Sequence, residues 1–412
     1  MATVVDSFYN DILKDITTQE VVTDIAFPKN PAMAMIPKDE TFRGRYFVLP
    51  IQYGVTGARS STAANAFSTA GTGNNGAYTA FYLLRSKEFA SAVIDGEVMI
   101  ASQSDAGAFM PVAEAEIQGG IHAISRAISV KMFRGAFNGS IGQVLAEPTE
   151  QVSPVLTVKN AWDILNIEVG QWIGLYNSSA TRKLFDTGVY ELQVTNVDRD
   201  ALTFTLAGEY TSNGTIVASD ELVPRGDYNV SLKGMQAWIP TTVTATEFYG
   251  VDRTSDKQRL AGTYIDQSTK SVSEAIIDTA NRIARYGHNP DTVFCSFEQF
   301  AALEKDYMAK GVRYENVMVG EIGIESLIIK YSGGKLNVVP DASCPTDQAM
   351  ILTLKDWVLA SAGPLINVDE KDGLLYERVS GEDSIMIRFY SYLQLGCRAP
   401  ARSGRCKLAV PA

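Results

Sequence analysis

Residues 109–134 read FMPVAEAEIQGGIHAISRAISVKMFR and carry the clearest periodic pattern in the chain. Isoleucines recur at steps of four, three and four residues, and most polar side chains lie off their stripe: Ile117, Ile121, Ile124 and Ile128. This spacing predicts an amphipathic helix, and Pro111 suits its first turn. At about 1.5 Å per residue, a helix of roughly 20–25 residues would measure about 30–38 Å and could cross a domain. Gly119 and Gly120 indicate a bend or a close backbone approach within it.

Upstream of this helix the sequence predicts a long β-hairpin. Residues 45–53 and 81–94 are rich in aromatic and branched side chains, as strands are. Between them lies GVTGARSSTAANAFSTAGTGNNGA, in which 21 of 24 residues are Gly, Ala, Ser, Thr or Asn. A segment with so little to bury is expected to be a functional loop or to order only against a partner. Before the hairpin, residues 5–25 have helical spacing and the prolines that follow them predict an extended arm.

Downstream, residues 150–235 predict a self-contained β-rich domain, a small barrel or sandwich inserted into the chain. Helix and strand then alternate, with a helix at 271–286 and a short strand at 292–295. A buried strand is predicted at 385–395, where alternate residues are apolar. The run 398–407 carries four basic residues and no acid, and we interpret it as a solvated or partner-facing tail rather than a DNA contact.

Composition describes a folded chain with an acidic surface. The 412 residues include 36 Lys and Arg against 47 Asp and Glu, giving a net charge of −11, so a general nucleic-acid binder is disfavoured. Neither a membrane-spanning apolar run nor a secretory signal is present, and no membrane partner is expected. The four cysteines are scattered, which predicts small buried hydrophobes rather than a disulfide or metal site: Cys295, Cys344, Cys397 and Cys406.

Signatures of catalysis are missing from the sequence. Its two histidines, His122 and His288, have no nucleophile or carboxylate at a recognisable offset. Residues 71–76 match Gly-x-Gly-x-x-Gly, but a dinucleotide site needs a strand before and a helix after this string, and here a strand follows. The Arg-Gly-Asp tripeptide at 225–227 is interpreted as a β-turn. We therefore predict a protein with no catalytic residue, no cofactor and no metal site.

The order of these parts resembles the major capsid proteins of tailed phages, the Hong Kong 97-like family. Residues 81–100 (FYLLRSKEFASAVIDGEVMI) are similar to that family's descending hairpin strand and the acidic turn into its spine helix. Residues 234–240 (GMQAWIP) and 248–253 (FYGVDR) resemble the connection into its axial domain, and 290–307 (PDTVFCSFEQFAALEKDY) resembles that domain's strand and helix. Residues 388–398 resemble the return into the peripheral domain.

The resemblance implies an α+β fold of the Hong Kong 97-like type with an inserted small β-barrel or sandwich. The implied organisation is an N-terminal arm (1–42), an extended β-hairpin loop (43–100), a peripheral domain with the spine helix (101–149), the inserted domain (150–235), an axial α/β domain (236–345) and a return to the axial and peripheral domains with the C-terminus (346–412). Each of these limits is an expectation.

For function, the resemblance implies a structural protein that forms hexamers and pentamers of an icosahedral phage head around double-stranded DNA, without sequence-specific DNA binding. Because the arm begins near Met1, a separate scaffolding protein is expected, with a portal and possibly a decoration protein as further partners. The implied location is the virion, after assembly in the host cytoplasm. No lysine lies in the hairpin tip, so covalent cross-linking is not assigned.

Two alternatives remain open at this point. An encapsulin-like nanocompartment shell protein would share the fold but enclose an enzyme cargo. An α+β enzyme with a β-rich accessory domain would form a discrete oligomer with a ligand pocket. As inter-subunit contacts we select mainly aromatic residues, because aromatic side chains dominate interface energies, together with residues of the arm and the hairpin tip: Phe8, Pro28, Tyr53, Arg59, Phe67, Tyr78 and Tyr82.

Overall fold

The computed structural model describes residues 30–54, 60–66, 76–95, 106–135, 139–148, 151–177, 181–186, 188–211, 216–310, 316–318, 325–369, 377–378, 381 and 383–411. Its α-helices are α1 Pro31–Met35, α2 Ala63–Ala66, α3 Ala106–Phe133, α4 Met235–Trp238, α5 Val272–Ala284 and α6 Phe297–Ala309. Short 3-10 helices span Ala161–Asn166, Arg253–Asp256, Leu354–Asp356 and Pro400–Arg402. The predicted helix at 5–25 and much of the predicted hairpin tip lie outside the described residues.

Helix α3 is the predicted spine helix, and its 28 residues make it somewhat longer than expected, about 42 Å. All four isoleucines of the predicted stripe are buried, with at most 2% of any side chain exposed. They pack against β4 (Ser86–Asp95) and β20 (Ser384–Cys397). Burial of this stripe joins the helix to the main hydrophobic core of the molecule.

One of the two adjacent glycines in α3, Gly120, lies in close contact with a neighbouring strand. A Cβ on Gly120 would lie 2.5 Å from Cε2 of Phe389, a buried ring on β20, whereas a Cβ on Gly119 would have no atom within 4 Å. The predicted close approach is therefore confirmed at Gly120, where a side chain rather than a backbone approaches, and Gly119 is an exposed helical position.

We expect Gly120→Ala to lower the free energy of unfolding by about 1–2 kcal/mol, because Phe389 must shift within a packed core. Gly119→Ala is the matched control and is expected to raise it by about 0.5–1 kcal/mol through helix propensity alone. Urea denaturation of the purified protein measures both changes. Equal effects of the two substitutions would contradict the packing argument.

The predicted hairpin forms a two-stranded ribbon, but its second strand ends earlier than expected. Strand β2 (Tyr46–Gln52) pairs antiparallel with β3 (Tyr78–Leu84). At Arg85 the chain leaves the ribbon, and β4 pairs with β20 in another sheet. Leu84 and Arg85 are both exposed, so the alternation of buried and exposed residues slips by one there. The prediction of a single strand over 81–94 is therefore wrong.

A six-stranded sheet is built around β20, which is 14 residues long and confirms the strand predicted at 385–395. Its order is β1-β17-β20-β18, and β4 and β19 also pair with β20. The face of β20 that carries Ile387, Phe389, Leu393 and Leu395 is buried. The remaining strands are β1 Lys38–Asp39, β17 Trp357–Ser361, β18 Asn367–Val368 and β19 Glu377–Arg378.

The inserted β-rich unit is a closed barrel. Its six strands follow the order β5-β10-β7-β8-β9-β6, and a bridge between Val144 and Val158 joins the two ends. A separate hydrophobic core fills it, including Leu175, Phe185 and Phe204. The first strand lies ahead of residue 150: β5 Gly142–Gln143, β6 Val155–Thr157, β7 Trp172–Tyr176, β8 Glu191–Asp198, β9 Thr203–Ala207 and β10 Glu221–Pro224.

A third sheet, order β11-β21-β16-β12-β15-β14-β13, packs against α5 and α6. Its strands are β11 Thr263–Asp266, β12 Thr292–Cys295, β13 Asn316–Met318, β14 Glu325–Tyr331, β15 Gly334–Pro340, β16 Gln348–Leu352 and β21 Gly404–Lys407. Strand β21 lies between β11 and β16, so the interpretation of 398–407 as a solvated tail is wrong. Arg405 on this strand is only 7% exposed, because its neighbours in space supply polar partners.

Candidate subunit interface

The ribbon has one apolar face that its own subunit leaves uncovered. The alternation of β2 and β3 turns four large side chains outward: Tyr46, Val48, Tyr82 and Leu84, which are 41%, 48%, 47% and 50% exposed. Tyr46 lies opposite Leu84, and Val48 lies opposite Tyr82. The two tyrosine rings meet edge to face with their centroids 6.0 Å apart. We call these four residues the outer ribbon face.

The opposite face fixes the ribbon to the main core. Leu49, Phe81 and Leu83 are buried there, and the Phe81 ring meets the indole of Trp238 edge to face at 5.0 Å. Trp238 donates its indole N–H to the carbonyl oxygen of Leu395 on β20 at 3.2 Å. The ribbon is thus anchored along its base, and only its outer face is available to another molecule.

Exposed apolar side chains continue from the ribbon onto β4. Phe89 is 65% exposed and Val93 is 52% exposed, and the Phe89 ring packs edge to face on Tyr392 of β20. Tyr78, at the start of β3, is 70% exposed. Contiguous exposed apolar surface of this kind is typical of a site that contacts another protein.

A groove of about 1130 Å³ separates this apolar surface from the segment that follows the barrel. Tyr46, Tyr82, Leu84 and Phe89 line it, and so do six residues of the segment after the barrel: Arg225, Gly226, Asp227, Asn229, Val230 and Ser231. The cationic side chains at its edge are Arg85, Lys87, Arg225 and Lys233. The groove therefore combines apolar surface with positive charge, which an amphipathic acidic segment would complement.

A buried ion triad forms part of the groove wall. The Nζ atom of Lys131, on the spine helix, lies 2.7 Å and 2.8 Å from the two carboxylate oxygens of Glu88 and 2.7 Å from Oδ2 of Asp227. Burial raises the pKa of Glu88 more than the Lys131 charge lowers it. Burial acts to lower the pKa of Lys131, but the two carboxylates outweigh it and the pKa is raised. Lys131 is therefore charged. Its ion pairs connect helix α3 to strand β4 and to the segment at residues 225–231 that follows the barrel, which we call the barrel exit.

Residues 217–372 match the family model described as SU10 major capsid protein. Over 96% of this chain and 99% of the other, the structure is similar to the cyanophage A-1(L) capsid asymmetric unit, with a TM-score of 0.50 and 12% identity. The family match over residues 217–372 and the fold both agree with a tailed-phage major capsid protein. The fold class predicted from the sequence, Hong Kong 97-like with an inserted barrel, is confirmed.

Further structures resemble this chain less closely by TM-score. The SrpI encapsulin complex from Synechococcus elongatus has a TM-score of 0.48 and 8% identity, with 93% of this chain and 90% of that chain covered. The satellite phage P4 procapsid that includes the size determination protein has a TM-score of 0.42 and 12% identity, with coverages of 100% and 99%. None of the curated proteins matches the chain in sequence.

Three of the selected contact residues lie in the described part of the chain. Tyr82 belongs to the outer ribbon face, Tyr78 is exposed near it, and Tyr53 is half-buried against the main core. The carbonyl oxygen of Tyr53 accepts a hydrogen bond from Arg259. Four others lie outside the described residues: Phe8, Pro28, Arg59 and Phe67. The contact role of all seven stays a prediction.

Sequence reasoning missed Val48, Leu84 and Phe89, which the structure exposes beside Tyr82. For Val48 a signal was available, because the segment YFVLPIQ is apolar at both even and odd positions. A two-stranded ribbon can bury only one face in its own subunit. Apolar residues on both faces of such a ribbon therefore indicate a second partner.

The four cysteines and His288 fit structural roles. All four cysteines are buried and unpaired, as predicted, and burial raises the pKa of the Cys406 thiol to about 12. Burial also lowers the pKa of His288. Among the described residues, no three of His, Cys, Asp and Glu are grouped to hold a metal ion. No helix in the described part is long and apolar enough to span a membrane.

The Arg-Gly-Asp tripeptide at 225–227 forms a turn directly after the last strand of the barrel. The N–H of Asp227 donates to the carbonyl oxygen of Pro224, which closes the predicted turn. The Asp227 side chain is committed to Lys131, at 2.7 Å. This carboxylate therefore stabilises the subunit rather than presenting a free ligand.

Proposed function

We propose that the outer ribbon face is a contact between neighbouring subunits, through which the protein assembles into hexamers and pentamers of an icosahedral head around double-stranded DNA. The observation that carries this proposal is the exposure of four large apolar side chains on a ribbon rooted in the core. Covering such a face removes apolar area from water, at about 25 cal/mol per Å². The same contact is repeated at every subunit around a closed ring.

The acidic composition supports enclosure of DNA without specific binding. A net charge of −11 repels phosphate groups, so a shell made of this subunit does not hold the packaged DNA tightly. On the family resemblance alone, we also propose that the protein assembles in the host cytoplasm. Its proposed partners are a separate scaffolding protein, a portal and a decoration protein. A non-enzymatic role is proposed on the same basis.

We expect Val48→Asp to abolish particle formation while leaving the subunit folded. A carboxylate placed on the outer ribbon face would be desolvated without a partner in every contact of the shell. Because Val48 is already 48% exposed, the free energy of unfolding of the isolated subunit is expected to change by less than about 1 kcal/mol. Sedimentation velocity and negative-stain microscopy measure assembly, and circular dichroism measures folding.

Val169→Asp is the matched control, because Val169 is 63% exposed on the barrel, away from the ribbon. Particles in normal yield from the Val48→Asp variant would contradict the proposal. Particles purified from the wild-type protein are expected to contain double-stranded DNA, whereas an enzyme cargo without DNA would indicate a nanocompartment.

A further inference from the structure

A second cavity lies between α4, the loop at 240–248 and strand β21. Its volume is about 460 Å³, and three cationic side chains line it: Lys233, Arg253 and Arg405. Four threonines also line the cavity: Thr241, Thr242, Thr244 and Thr246. Glu247, which is exposed, is the one acidic residue among the described lining. The cavity is therefore positively charged in a protein that is acidic as a whole.

Arg253 is buried without an anionic partner. Only 6% of it is exposed, and its guanidinium lies 4.1 Å from the centroid of the Phe248 ring. One terminal nitrogen donates to the carbonyl oxygen of Ala237 at 2.8 Å, but Nε has no hydrogen-bond partner. Burial lowers the pKa of Arg253 to about 10.

Arg405 approaches the same cavity from β21 and is 7% exposed. Its terminal nitrogens donate to Gln348 Oε1 at 3.1 Å and to Thr241 Oγ1 at 2.9 Å, and both of these partners are neutral. Nε of Arg405 has no hydrogen-bond partner either. Within the described ranges, no carboxylate oxygen lies within 4.0 Å of a side-chain nitrogen of Arg253 or Arg405.

Burial lowers the pKa of Arg405 although the charge of Asp347 acts to raise it, and neither guanidinium has a carboxylate at ion-pair distance. Such an arrangement is costly, since a buried charge is normally paired. Lys233 adds a third charge, and its pKa is lowered by burial and by the nearby charge of Arg253. Each of the two unpaired Nε–H groups belongs to a fork that matches the oxygens of a phosphate. An anion in the cavity would offset the repulsion among the three cations.

We propose that this cavity is a binding site for a phosphate-class oxyanion, held by Arg253 and Arg405 with Lys233 at its side. Several threonine hydroxyls stand around the same space and can donate to further oxygens, so a tetrahedral anion is favoured over a carboxylate with two oxygens. The phosphate can be free inorganic phosphate or the phosphate group of a nucleotide.

The test is calorimetric titration of the full chain with inorganic phosphate in a chloride buffer of constant ionic strength. We expect saturable binding at one site per subunit, with sulfate competing and acetate not competing. Arg253→Gln and Arg405→Gln are each expected to weaken binding at least about 10-fold, because each removes a charged donor. Arg259→Gln is the matched control, because Arg259 is an exposed arginine outside the cavity, and it is expected to leave binding unchanged.

Lys233→Gln provides a second variant at a half-buried position in case the arginine variants do not fold, and it is expected to weaken binding about 3-fold or more. A nucleoside monophosphate that competes with inorganic phosphate would support the shared site. Absence of saturable phosphate binding by the wild-type protein would overturn the proposal, as would wild-type affinity in the folded Lys233→Gln and Arg253→Gln variants. Assembly is not the measured quantity, so failure here leaves the shell proposal unaffected.

Discussion

Lys131→Met is expected to lower the free energy of unfolding by about 3–5 kcal/mol. Methionine nearly preserves the volume of lysine, but it leaves the carboxylates of Glu88 and Asp227 facing each other without the ammonium group that both contact. The Glu88 side chain is only 8% exposed, so water cannot replace the lost partner. Urea or guanidinium denaturation of the unassembled subunit measures the change.

Lys270→Met is the matched control for this effect. Lys270 pairs with Asp278 in the open, where the two side chains are 42% and 46% exposed, and its loss is expected to cost less than about 1 kcal/mol. Adding Glu88→Gln to Lys131→Met is expected to recover part of the loss, because it removes one of the two unpaired charges. A Lys131→Met variant as stable as Lys270→Met would show that the triad contributes little.

Gly234→Ala is expected to destabilise the subunit by about 3 kcal/mol, at the upper end of overpacking effects. A Cβ at this position would lie 2.1 Å, 2.2 Å and 2.4 Å from the carbonyl oxygens of Arg134, Lys131 and Met132. These are backbone atoms at the end of the spine helix, so no side-chain rotation can relieve the contact. Thermal and urea denaturation measure the loss.

Gly44→Ala is the corresponding control, since a Cβ there would lie 3.5 Å from its nearest atom, the carbonyl oxygen of Tyr46. It is expected to change the free energy of unfolding by less than about 0.5 kcal/mol. Wild-type stability of Gly234→Ala would mean that the barrel exit can move away from the helix at little cost.

The elements that the sequence predicts well are those whose pattern is local. The isoleucine steps of α3 and the alternation along β20 depend only on the helix and strand periods, and both elements lie where they were expected. The barrel was expected as a barrel or a sandwich. Its closure between Val144 and Val158 joins the two end strands of the sheet, which no local pattern specifies.

The remaining errors have a common physical cause, which is that a side chain's surroundings come from distant parts of the chain. Arginine is usually found at the protein surface. Arg405 is nevertheless buried, and it donates hydrogen bonds to two neutral side chains, Thr241 and Gln348. The strand break at Arg85 depends on β20, which pairs with β4 from about 300 residues downstream in the chain. Neither partner can be identified from the residues next to it in sequence.

The candidate interface was predicted only in part for a similar reason. Tyr82 and Tyr78 were selected for their aromatic character, and both are exposed. Val48 and Leu84 have ordinary strand composition, and only the pairing of β2 with β3 shows which of their faces the core covers. Aromatic content therefore located the ribbon but not its full outward surface.

The barrel leaves and rejoins the rest of the subunit at nearly one point. A Cβ on Gly135, just after the spine helix, would lie 2.7 Å from the backbone nitrogen of Gly234, where the chain returns. An inserted domain whose two ends lie close together can be shortened, lengthened or replaced by another domain without changing the path of the chain around it. This junction is thus a natural place for evolution, or for a protein engineer, to graft new domains onto the particle.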